Sequence, residues 1–159
     1  MLVRALCIAI LLAVVGSPAL ASGVDIEASK AEQALLSFYA ALSSREYGAA
    51  AELYGGSYSV LSTWNPDLEP EAFSDLLRRG CEVNGLQCLE VRRIVSVSRL
   101  REKEYRFIAE FSTAGGELFV RRISEDGDLA ASRSDSSFSI VIEDVGEGYQ
   151  VKGLPPYTP

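Results

Sequence analysis

Histidine is absent from the 159 residues. That removes the usual metal ligand, the usual general base near neutral pH, and every Ser-His-Asp or Cys-His nucleophile. A short list of residues keeps chemical potential. Cys81 and Cys88 flank Asn84-Gly85, a turn signal. An even cysteine pair across a turn in an exported chain reads as a disulfide; a redox pair would be C-x-x-C, and zinc would need further ligands. The loop it closes is short, worth about 2.5 kcal/mol by chain entropy, so it pins a corner rather than holding a domain together. Asp144 shares strand parity with Phe138, Ile140 and Ile142, which makes it the one strand carboxylate to suggest for chemistry, with Tyr149 a hydroxyl donor nearby. Its alternative is a strand-end charge in water. Arg93 shares parity with Val91 and Val95. Either a bulge turns it outward, or it lines a pocket and pairs a carboxylate.

Val-Arg-Arg-Ile stands at 91–94 and again at 120–123. On neighbouring strands the two copies would gather four guanidiniums for an anionic ligand or a partner's acidic edge; otherwise they solvate an exposed sheet face. Tyr39, Tyr54, Tyr58, Trp64, Phe73, Tyr105 and Phe107 are candidates for the wall of an apolar pocket, or for core. The 22 acidic residues outnumber 15 basic ones, for a formal charge of −7, which argues against a nucleic-acid partner. Glu125-Asp126-Gly127-Asp128 lacks the ligand spacing and closing glutamate of a calcium loop. No phosphate-binding glycine loop, dinucleotide fingerprint or nucleophile elbow occurs, so no metal and no cofactor is expected.

These residues must be positioned by an organised chain. Arg4 precedes the apolar run Ala5–Val15, Gly16-Ser17-Pro18 breaks it, and Ala19-Leu20-Ala21 offers a small-x-small cleavage pattern. Residues 1–21 read as an export signal cut between Ala21 and Ser22, leaving a periplasmic or secreted chain with no later run long enough to span a bilayer. A flexible lead is expected at 22–28, one domain over 29–154, and a Pro-rich extended tail at 155–159. Ser29-Lys30-Ala31-Glu32 forms a capping box, so a helix should start there and carry Ala31, Ala34, Leu35, Phe38 and Leu42 on one stripe. A second helix is expected at about 46–54 and a third from Pro70 to Gly80. From Cys88 the period changes to two. Leu89, Val91, Val95 and Val97 share a face, then Tyr105, Phe107, Ala109 and Phe111. A hairpin at Gly115-Gly116 leads into a strand at 117–123, the polar stretch that follows reads as a loop, and strands at Phe138–Ile142 and Tyr149–Lys152 close the domain. The class is α+β: N-terminal helices packed on a curved antiparallel sheet of four to five strands.

This element order, with A-E-Q-A-L-L-S-F-Y-A-A-L opening the domain and E-Y-G-A-A-A-E-L-Y following, resembles the nuclear transport factor 2-like superfamily, and exported bacterial members in particular. The resemblance implies a cone in which a bent sheet wraps a long helix and leaves a pocket at its open end. Family members include isomerases, dehydratases, cyclases and non-catalytic scaffolds, so the fold alone names no function. The dehydratase and cyclase types lean on a His-Asp pair, which this chain lacks. Three readings follow. The first is an exported, non-catalytic domain that binds a small hydrophobic or anionic molecule, or a protein partner across its sheet. A second is a cofactor-free isomerase or lyase using Asp144 and a tyrosine, which requires Asp144 buried in an apolar cavity. The third is a structural module, a homodimer through the sheet, with a filled cone and an apolar outer sheet face.

Overall fold

The computed structural model describes residues 22–125 and 128–158. The expected export signal with Ala21, the Asp126-Gly127 pair of the acidic turn, and Pro159 lie outside the described residues. The order is α1 Ser22–Ser43, α2 Tyr47–Leu53, α3 Ser59–Trp64, α4 Phe73–Glu82, β1 Glu90–Arg101, β2 Glu104–Ser112, β3 Arg121–Glu125, β4 Asp128–Asp135, β5 Phe138–Asp144 and β6 Tyr149–Val151. The class is α+β, with an antiparallel four-stranded sheet in the order β1-β2-β5-β6 and a separate β3-β4 hairpin. Among the described residues no helix is long and apolar enough to cross a membrane.

α1 forms because Ala31, Leu35, Phe38, Tyr39 and Leu42 fall on one stripe, and all five are buried. It starts at Ser22, so the lead expected at 22–28 is helical and Ser29 lies inside the helix rather than capping it. The early turns are tied down. Glu27 accepts a hydrogen bond from Lys30 at 2.9 Å and another from the Tyr149 hydroxyl, across 122 residues of chain. At the other end Glu46 N–H donates to Ala41 O at 2.8 Å and Arg45 N–H to Leu42 O at 3.1 Å. This is a Schellman stop with Arg45, at φ 63°, in the left-handed position where glycine is usual.

α3 was not foreseen. α4 begins at Phe73 rather than Pro70 and runs past Gly80 to Glu82. Gly80 can sit inside it because a Cβ there would lie 2.8 Å from Leu86 Cδ1, so the missing side chain lets α4 close onto the disulfide loop.

β2 alternates as expected, with Tyr105, Phe107, Ala109 and Phe111 inward and Arg106 outward. Their partners across the ladder are Arg99, Val97, Ile94 and Val91. β1 breaks register between Val91 and Arg93 and again between Ile94 and Ser96. Each extra residue reverses the parity, so Val95 leaves the face expected for it and is 47% exposed, while Arg93 turns to the outer face.

The strand expected at 117–123 is also revised. Leu118 makes only an isolated bridge to Ser112, Phe119 N–H donates to Phe111 O at 2.9 Å, and the chain then departs as β3. β3 pairs with β4, which occupies the stretch read as a loop, so the two Val-Arg-Arg-Ile segments lie in different sheets.

The Cys81–Cys88 disulfide is present, with Cα atoms 5.5 Å apart. The segment expected as an extended tail is docked against the loop it closes. Gln87 N–H donates to Pro156 O at 2.7 Å, Thr158 N–H donates to Gly85 O at 3.1 Å, and Leu86 bridges Tyr157 in antiparallel fashion. Gly85 is required at this crossing, since its φ is +89° and a Cβ would stand 2.3 Å from Thr158 O. Pro155 and Pro156 are buried.

The strained stop of α1 yields a stability test. Arg45 is exposed and makes no side-chain ion pair among the described residues, so Arg45→Gly removes a left-handed penalty of about 1–2 kcal/mol and adds back some unfolded-chain entropy. Urea unfolding should show a net gain of roughly 1 kcal/mol.

Candidate functional site

The space between α1 and the sheet is occupied by side chains. Phe38, Tyr39, Leu35 and Leu42 of α1 and Phe107, Phe111 and Ile142 of the sheet are all under 2% exposed. Eight rings run in contact through this interior: Phe73, Tyr58, Tyr54, Phe38, Tyr39, Phe111, Phe138 and Phe119, with successive centroids 4.5–5.9 Å apart. Sites are therefore found at the rim.

One rim cleft, of about 350 Å³, is lined by Tyr39, Arg121, Ser137, Phe138, Ser139, Ile140, Leu154, Pro155, Pro156 and Tyr157. Its construction follows from the elements just described. Tyr39 comes from the α1 stripe, Phe138 and Ile140 from the inner parity of β5, and the outer wall from the segment docked on the disulfide loop. Arg121 stands directly opposite Asp135 in the β3-β4 hairpin, and its Nη2 donates to Asp135 Oδ2 at 2.9 Å. The guanidinium lies 5.3 Å from the Phe138 ring centroid. Asp135 also receives Arg133 Nε at 3.0 Å, and these arginines, Arg121 first, hold its carboxyl below the ordinary aspartate range.

Two donors in this cleft have no partner among the described residues. Tyr39 is 1% exposed and its hydroxyl is buried without a hydrogen bond; the Arg121 Nε is buried likewise. An unmet polar group in an apolar interior costs about 1–3 kcal/mol, so native proteins leave few of them. Burial pushes the Tyr39 phenol well above its ordinary value, which keeps it a neutral donor at physiological pH.

The remaining candidates are dispersed. Tyr54 donates to Ser57 O at 3.1 Å within the core, and burial raises its phenol to about 12. Burial likewise raises Tyr58, which stacks on the 43%-exposed Phe73, to about 12. Trp64 packs on Tyr157 with centroids 5.2 Å apart, behind the cleft's outer wall. Tyr105 and Phe107 are core. Arg93 lines no pocket wall: it makes a two-point pair with Glu110 on the outer sheet face, at 2.7 and 2.9 Å.

Asp144 is half-buried at the β5-β6 turn, where its Oδ1 accepts the Gly146 N–H at 2.7 Å. The crevice beside it is lined by Glu27, Arg99, Glu102, Lys103, Tyr105 and Tyr149. That setting is charged, not the apolar cavity a general base of the isomerase kind requires. Tyr149 aims its hydroxyl at Glu27 instead.

Phe138 and Tyr157 were missed as site residues, and Arg121 was singled out only as part of a four-guanidinium patch, which does not form because the two Val-Arg-Arg-Ile segments lie in different sheets. Arg121 and Asp135 stand fourteen residues apart as opposite charges, which is the spacing a hairpin would pair, but the polar run between them carries no strand periodicity. No protein-family model matches the chain, and no curated protein matches it either.

Two outcomes are expected. Tyr39→Phe deletes an unmet hydroxyl and should stabilise the ligand-free protein by about 1 kcal/mol, whereas Tyr54→Phe deletes a made hydrogen bond and should destabilise it by a similar amount, both read by urea unfolding. The Tyr149–Glu27 tie has a pH window. Glu27 is held below its ordinary 4.5, chiefly by the Tyr149 hydrogen bond, so its stabilising effect is complete above pH 4.5 and is lost as pH falls through the lowered value. Amide exchange in the first turns of α1 should accelerate there, and in Tyr149→Phe it should already be fast at neutral pH.

Proposed function

We propose that the chain is an exported, non-catalytic domain of the nuclear transport factor 2-like kind that binds a small ligand in the cleft between Tyr39, Arg121, Phe138 and the 154–157 segment. The observation that carries the reading is the pair of buried donors, unpartnered among the described residues, in a cleft that sets Phe138, Ile140, Leu154 and two prolines beside the polar groups of Ser137, Ser139 and Tyr157. Binding sites combine apolar walls with placed polar groups, and here the polar share of the exposed lining is the larger. A ligand oxygen would meet hydrogen-bonding capacity that the protein leaves open.

The helices packed on one face of an antiparallel sheet support the family reading, and the disulfide is consistent with an oxidising compartment outside the cytosol. Among the described residues no carboxylate lines the cleft, and without a general base of the Asp or Glu type binding is favoured over turnover. The outer sheet face carries Arg106, the Arg93–Glu110 pair and the Glu143–Lys152 pair, which weighs against dimerisation through that face.

The test is an amide NMR titration of the disulfide-bonded chain with a fragment set of aromatic and aliphatic acids, alcohols, amines and amides. At least one class should shift Phe138, Ile140, Leu154 and Tyr157 together. Shifts confined to a second hollow, of about 680 Å³ and lined by Leu42, Tyr47, Glu82 and Leu86 beside Cys81 and Cys88, or none at fragment concentrations near 10 mM, would overturn the assignment.

A further inference from the structure

We infer that the cleft selects a monocarboxylate with a compact apolar body, about the size of an arylpropanoate; this rests on the reading of the cleft as the binding site. Four observations lead there. Of the side chains that line it, those with polar atoms are Tyr39, Arg121, Ser137, Ser139 and Tyr157. The guanidinium only donates, the hydroxyls donate or accept, and no carboxylate lines the cleft among the described residues, so the one charged lining group favours a ligand offering acceptor oxygens over one offering an ammonium.

Charge makes the acceptor anionic. Arg121, Arg133 and Asp135 form one linked cluster with two guanidiniums to one carboxylate, leaving a net unit of positive charge beside the cleft. The chain as a whole carries −7, which opposes anions at long range. Salt screens that field over about 8 Å, while Arg121, the less exposed guanidinium of the cluster, acts at contact distance in the cleft and the solvent-exposed Arg133 offsets the charge of Asp135 beside it. A local attraction inside an acidic protein selects for an anion that fits and rejects one that does not.

Shape limits the remainder. The volume of about 350 Å³ is at the small end of the roughly 300–1,000 Å³ of ligand pockets, and the floor is Phe138 and Ile140 against Leu154, Pro155 and Pro156. An aryl or short branched alkyl group matches that floor. The carboxylate would then face Arg121, whose Nε is unpaired, and Tyr39, whose hydroxyl is unpaired. Charge-assisted hydrogen bonds of this kind are about twice as strong as neutral ones.

The experiment compares 3-phenylpropanoate, 3-phenylpropan-1-ol and 3-phenylpropylamine by amide NMR titration of the intact disulfide-bonded chain. The acid should bind at least about tenfold more tightly than the alcohol, the amine should not bind, and only the acid should weaken as salt rises. Arg121→Gln should abolish the preference for the acid over the alcohol. Arg121→Lys retains the charge and should keep part of it, which separates lost charge from a disturbed hairpin. Arg93→Gln, on the outer sheet face, should change nothing. Equal binding of acid and alcohol in the cleft, unaltered in Arg121→Gln, would overturn this inference while leaving the binding assignment standing. Failure of all three probes to shift Phe138 and Leu154 would overturn both.

Discussion

The structure depends on how completely aromatic side chains fill the angle between α1 and the sheet. Phe38 and Tyr39 are adjacent in sequence, yet both are buried, because one stacks toward Tyr54 and the other toward Phe111. Two consecutive residues are 100° apart around a helix, so both are buried only because α1 is covered on two sides, by Tyr54 at the end of α2 and by Phe111 of the sheet. The packing of α2 and of β2 on α1 and the identity of these two residues are therefore one constraint. Each fully buried ring contributes on the order of 2–3 kcal/mol through area alone. With that volume occupied, a ligand can only reach the rim.

At the rim the wall is assembled from parts far apart in the chain. The sheet contributes the floor, the β3-β4 hairpin the charge, and residues 154–157 the far side. That last segment stays in place through backbone hydrogen bonds to the loop that Cys81 and Cys88 close. A small covalent ring thereby positions a stretch of chain some seventy residues downstream. The disulfide contributes to the shape of the cleft more than its modest share of global stability suggests.

What could be read without coordinates was whatever depended on uninterrupted periodicity. The α1 stripe and the alternation of 105–111 were legible because each residue there follows the rule of its element. β1 was not, because three inserted residues, Arg92, Val95 and Leu100, reset its parity and no local residue type announces a bulge. Arg93 shows the consequence: the extra residue before it, Arg92, turns it to the outer face, where it pairs with Glu110. α3 is six residues long, too short to present a stripe, and β4 is polar, so neither had a period to detect. Of the cleft, Tyr39 was visible as one aromatic among seven. Its unmet hydroxyl is a property of what surrounds it, and surroundings made from α1, β5 and residues 154–157 exist only in the folded chain.

The interruptions of β1 have a further effect. β1 is an edge strand, twelve residues long, with no strand paired to its outer side among the described residues. A flat edge of that length is a template for stacking chain upon chain. Three register shifts interrupt its pairing with β2, and Arg93 and Arg101 on it are paired with Glu110 and Glu104, so the margin offered to a second copy is irregular and charged rather than flat and apolar. Edges of that kind disfavour stacking of strand upon strand.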